Sequence, residues 1–181
     1  MLTEHAPSAP PHGLAAIVSA FGDPRPLIGK DGGIAPTWEV QHITRVRLPR
    51  PLRYAHCEVT RVAVNRHLAR HVRELFEDLE DHCLWDELAG FRAGYVVRPM
   101  SSGDALSTHA WGIALDLIPR ATMPEQVVRT FAHYGFSWGG PREPEHFQWA
   151  TGYGLREGSV EVASVAWVPL PLPYEAAFVA V

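Results

Sequence analysis

The residues best suited to chemistry fall in two short runs. The first is Ser107-Thr108-His109-Ala110-Trp111-Gly112-Ile113-Ala114-Leu115-Asp116, and the second is Glu143-Pro144-Glu145-His146-Phe147-Gln148-Trp149. Two histidines and an aspartate are donors of the kind that a catalytic zinc takes from protein, with a fourth position kept for water. A glutamate three residues before the second histidine supplies the general base that such a water needs. His109, Asp116 and His146 are therefore the candidate ligands of one zinc per chain, and Glu143 is the candidate base. Glu145 is an alternative base by proximity, but beside His146 on a strand it should point to the opposite face.

The elements around these runs must hold them in place. Gly112 to Ile118 alternates, with Ile113, Leu115 and Leu117 on one face and Gly112, Ala114 and Asp116 on the other, which predicts a strand. A carboxylate on so apolar a strand is costly to bury without a positive partner, which a metal would provide. His146 to Trp149 alternates in the same way, after a turn at Phe136–Gly140. Phe91 to Arg98 reads as a further strand that carries Arg98 to the edge of a loop over 99–106. Three helices are expected: Gly13 to Phe21, a long one over 58–80, and one from Met123 to Tyr134. The long helix has Val64, Leu68, Val72, Leu75, Phe76 and Leu79 in one stripe. In the third, Thr122 and Glu125 form a capping box and Gly135 is the stop. Trp38 to Leu48 reads as one or two strands ended by Pro49-Arg50-Pro51. His67 and His71 are four apart on the long helix, but Leu68 occupies the position where a zinc helix of the His-Glu-x-x-His type needs glutamate. They are read as residues flanking the apolar stripe.

With 181 residues, 46% hydrophobic and 20% charged, the chain suits a mobile tail over 1–12 and a single domain over 13–181. The net charge of −4 gives no general attraction to nucleic acid, and Arg45, Arg47, Arg50 and Arg53 match no recognition motif. No run of apolar residues is long enough for a membrane span, and the first residues show no secretory signal. Synthesis in the cytoplasm is expected. Cys57 and Cys83 are expected as reduced core thiols. The apolar, proline-rich stretch over 168–173 is expected to wrap the domain.

The two runs resemble the zinc D-alanyl-D-alanine carboxypeptidase and L-alanyl-D-glutamate endopeptidase family, which includes phage endolysins. The resemblance rests on Ser107, His109, Gly112, Ala114 and Asp116, then on Glu143, His146 and Phe147 after the Trp138-Gly139-Gly140 turn. It implies an α+β fold of the hedgehog/DD-peptidase type, a small antiparallel sheet carrying the zinc site with helices packed on it. It also implies zinc-dependent hydrolysis of a peptide bond in peptidoglycan stem peptides or muropeptides, with action on the cell wall after release. Arg98 would stabilise the oxyanion or hold a substrate carboxylate, with Arg92 as a rival for that place. Ser107 would contact the peptide, and Trp111 would shape the substrate pocket with Arg98. Gln148 stands where many relatives have glutamate. A non-catalytic, zinc-containing wall- or ligand-binding module of the same fold is the alternative. A binding module has no need of Glu143 and Arg98 beside the metal.

Overall fold

The computed structural model describes residues 9–100, 105–156 and 158–161. Four α-helices and six strands follow in the order α1 Gly13–Phe21, α2 Pro36–His42, β1 Ile43–Tyr54, β2 Cys57–Asn65, α3 Ala69–Asp81, β3 Leu88–Ala93, β4 Ala114–Pro119, α4 Glu125–His133, β5 Ser137–Trp138 and β6 His146–Gln148. The fold is α+β, as expected, with two antiparallel sheets: the hairpin β1-β2 and a four-stranded sheet in the order β3-β4-β6-β5.

Several boundaries differ from the sequence reading, each for a physical reason. The expected helix over 58–80 begins only after a strand and a short 3-10 turn, Arg66–Leu68. Val59, Thr60, Val62 and Val64 are β-branched, and the burial of Val62 and Val64 follows a two-residue period. Asn65 ends that strand, its side-chain oxygen accepting the His67 backbone N–H at 3.1 Å. α3 then buries Val72, Leu75, Phe76 and Leu79 as the stripe requires. Trp38 to His42 is helix rather than strand, opened by Pro36 in its first turn. The prolines at 49 and 51 do not end β1. They fall where pairing with β2 is interrupted between Arg47 and Leu52, so neither has to donate to the ladder. β3 stops at Ala93, and the expected turn over Phe136–Gly140 includes the short strand β5.

The capping box of α4 does not form. Extended Pro124 occupies the N-cap position without a side-chain cap, and Gly135 (φ 84°) follows the helix end. Pro11 and Gly13 pair with Thr151, so the last residues of the expected tail are held. Neither cysteine lies in the core: both are exposed free thiols, Cys57 beside the β1-β2 turn and Cys83 just beyond α3. The stretch over 168–173 lies outside the described residues.

One continuous apolar core joins the helices to both sheets. Phe147 on β6 stacks on Phe131 of α4 with centroids 3.9 Å apart, and Phe136 meets Phe131 edge-on. Phe21 of α1 meets the edge of Trp149, whose indole N–H donates to the Tyr134 carbonyl at 2.9 Å. This anchoring leaves the other face of β6, which carries His146 and Gln148, turned towards a cleft.

His67 and His71 flank this core, as the sequence suggests, with rings near Phe21 and Trp149. Burial lowers the His71 pKa, an effect that Glu74 offsets in part and Arg70 reinforces. Burial also lowers that of His42, with His67 and Arg66 adding to the effect. The unfolded chain, with histidine near pH 6.5, therefore takes up these protons first. Their share of stability is complete above about pH 6.5 and is lost as pH falls below it towards the folded-state values. Thermal unfolding in chelator should show Tm dropping from pH 7.5 to 5.5, with a shallower drop in His71→Gln. An identical slope in the variant would remove His71 from the account.

Candidate metal centre

The two sequence runs meet because β4 lies between β3 and β6. Asp116 is the register partner of His146 across the β4-β6 ladder and of Ala93 across β3. His109 comes from the 3-10 turn Thr108–Trp111, whose N-cap is Ser107. Gly112 ends that turn at φ 69°, a conformation that favours glycine. A Cβ there would stand 2.6 Å from the Asn65 backbone nitrogen. The bond from the Asn65 N–H to the Gly112 carbonyl (2.7 Å) and that from the Asn65 amide to the Trp111 carbonyl (2.9 Å) lock the turn to the end of β2.

The hydrogen bonds of the two imidazoles determine which atoms face inward. His109, fully buried, has Nδ1 2.6 Å from the Gly94 carbonyl oxygen. A carbonyl only accepts, so Nδ1 carries the proton and Nε2 of the neutral ring is a lone pair. That Nε2 lies 3.0 Å from Asp116 Oδ1.

The amide nitrogen of Gln148 donates to the carbonyls of Tyr153 (2.7 Å) and Ala150 (3.3 Å). Its Oε1 is thereby turned to the Thr108 hydroxyl (3.0 Å) and to His146 Nε2 (3.1 Å). Nε2 of His146 must donate, and Nδ1, 2.9 Å from the same Asp116 oxygen, is again a lone pair. Gln148 therefore orients a candidate ligand, and its N–H donors satisfy two carbonyls that a glutamate could not.

Two imidazole lone pairs and a carboxylate oxygen thus converge, with all three atoms within 4.8 Å of one another. Such atoms repel one another unless a cation lies among them. Nitrogen, nitrogen and carboxylate oxygen fit zinc, and the outer bonds to Gly94 and Gln148 are of the kind that orient metal-ligating histidines. Asp116 is only 7% exposed. Burial raises its pKa, but in the metal-free state hydrogen bonds from the protonated imidazoles of His109 and His146 outweigh burial and hold the carboxyl well below the usual carboxylate range, the protons standing where a cation would lie.

An open cleft of about 320 Å³ lies over this cluster. Arg98, Ser107, Glu143 and Glu145 line it together with Asp116 and His146. The base of the loop after Arg98 is closed by a bond from the Ser107 N–H to the Arg98 carbonyl (3.0 Å), with Arg98 Nη2 3.5 Å from Asp116 Oδ2. Arg92 is instead 2.7 Å from Glu145. Residues 101–104 lie outside the described residues.

Two expectations change. Trp111 is fully buried, with its indole N–H on the Gly22 carbonyl at 2.9 Å, and is absent from the cleft lining. Its work is packing rather than substrate contact. Glu145 does not turn away from the cleft, because β6 begins only at His146 and residues 143–145 form a turn to which strand alternation does not apply.

Thr108, Arg142 and Arg156 also line the cleft, although the sequence reading passed over them. Thr108 lies inside the first run and Arg142 beside Glu143, so adjacency was available as a signal. Arg156, with Nε 3.0 Å from Glu143 Oε1, has no motif spacing to mark it.

A family model described as D-alanyl-D-alanine carboxypeptidase matches residues 101–149, the segment that contains both runs. The match supports the resemblance to the zinc D-alanyl-D-alanine carboxypeptidase family that the motifs carry. No curated protein and no solved structure matches the chain. No helix among the described residues is long and apolar enough to cross a membrane.

Proposed function

We propose that this chain is a zinc-dependent peptidase that hydrolyses a peptide bond in peptidoglycan stem peptides. The convergence of two imidazole lone pairs and a carboxylate, in a cleft that also holds a glutamate and an arginine, carries this reading. His109 Nε2, His146 Nδ1 and Asp116 would hold the metal. When bound, zinc supplies a Lewis acid that polarises the scissile carbonyl and acidifies the attacking water.

Glu143 takes the proton from the water as it attacks and delivers it to the leaving amine, so each proton removed is returned. Arg98, beside Asp116, offers guanidinium N–H groups to the oxygen on which negative charge develops. Ser107 contacts the peptide at the cleft wall, while Thr108 and Gln148 keep His146 in its working tautomer.

The family match favours hydrolysis over a purely binding role, as does the placement of Glu143 and Arg98 in the same cleft. Mass spectrometry of digested peptidoglycan, with and without chelator, tests it. Release of D-alanine or cut stem peptides that stops with chelator and returns with zinc is expected. Zinc-loaded protein that leaves every stem peptide intact would turn the reading to a binding module.

A further inference from the structure

The same cleft holds a charge arrangement that the mechanism does not use. Four arginines line it (Arg92, Arg98, Arg142 and Arg156) on a chain whose net charge is −4. Three of them face the cleft's carboxylates: Arg98 with Asp116, Arg92 with Glu145, and Arg156 with Glu143. Arg142 has no ion-pair partner among the described residues. It sits in the turn after Gly140, immediately before Glu143, the partner of Arg156. An arginine that lines a concave site and has no ion-pair partner is suited to an anion that arrives with the substrate.

We infer that Arg142, assisted by Arg156, forms a carboxylate-reading subsite beside the proposed base, so that the substrate is a peptide with a free carboxylate on that side of the scissile bond. This rests on the peptidase reading above and narrows its substrate. A guanidinium group suits the task because its planar N–H pairs match a carboxylate. Arg156 assists by keeping Glu143 in place beside Arg142.

A second hollow, of about 600 Å³, shares Arg92, Arg98 and Asp116 with the cleft and continues along Phe91–Val96 to Tyr54. Space for substrate thus extends beyond the cleft itself. The carboxylate has two possible sources, an acidic residue within the peptide or the C-terminal carboxyl of the last residue.

Four versions of one D-glutamate-containing stem peptide separate them. In these the internal carboxyl and the C-terminal carboxyl are each either free or a carboxamide. Calorimetric titration into the wild-type chain and into Arg142→Gln reads the preference whether or not the peptide is cut. Arg142 is exposed, so the variant should fold, and circular dichroism checks this. The expected result is that masking one of the two carboxyls weakens binding to the wild type about tenfold, or about 1.4 kcal/mol. In Arg142→Gln that difference should shrink to near unity.

Sensitivity to the internal carboxyl identifies an acidic residue within the chain as the group read, and sensitivity to the terminal one identifies a chain end. Equal binding of all four peptides, or a preference that survives in Arg142→Gln, would overturn the inference. Preference without cleavage by zinc-loaded protein would instead overturn the peptidase reading and leave the subsite standing.

Discussion

Glu143→Gln should abolish most turnover while leaving metal binding intact. The substitution preserves the shape of a side chain that lines the cleft but contributes no atom to the metal cluster, and it removes the only function assigned to it, proton transfer. General acid–base catalysis contributes roughly 10²–10⁴-fold, so kcat on a stem peptide should fall by about that factor. Zinc content should match the wild type. Arg156 keeps a partner in the glutamine carbonyl, so the cleft wall should hold its form. Near-normal turnover would move the base to Glu145, which lines the same cleft and is paired with Arg92.

Asp116→Asn should have the complementary outcome, loss of metal and activity together with retention of the fold. Asparagine nearly matches aspartate in volume, and its amide NH2 has a donor for each of the two imidazole lone pairs that meet at Oδ1, but it carries no negative charge with which to hold a metal. Loss of an outer-shell partner costs about 10–100-fold in metal affinity, and loss of a ligand should cost more. Because ligand binding raises Tm in proportion to RT ln(1 + [L]/Kd), the wild type should gain Tm on addition of zinc and the variant should not. The metal-free Tm of the two proteins should be similar. A variant that still gains Tm and turns over with zinc would remove Asp116 from the ligand set.

Much of the centre was legible because its spacing encodes local geometry. His109 and Asp116 are seven positions apart, a span taken up by one 3-10 turn, a left-handed Gly112 and the start of β4. Glu143 and His146 are three positions apart, which is one turn closed by the His146 N–H on the Glu143 carbonyl at 3.0 Å. Such local relations survive in a linear reading.

The misreadings came where a long-range contact decided the outcome. Val64 continues the apolar stripe of α3 in register, but pairing with β1 makes residues 57–65 a strand. Trp111 looked available to substrate only until the Gly22 carbonyl, 89 residues away, claimed its indole N–H. The orienting role of Gln148 needs the carbonyls of Ala150 and Tyr153 to fix its amide, and Arg156 reaches Glu143 from a separate loop. No spacing in the sequence records these meetings.

The most direct test of the central claim is the metal content of purified protein, measured with zinc-edge X-ray absorption on the same sample. One zinc per chain, bound by two imidazole nitrogens and at least one carboxylate oxygen, is the expected result. Both the stoichiometry and the spectrum should be unchanged in the His67→Ala, His71→Ala double variant. A chain that binds no zinc, one that holds it through sulfur, or one that loses it with His67 and His71 would contradict the assignment of His109, Asp116 and His146.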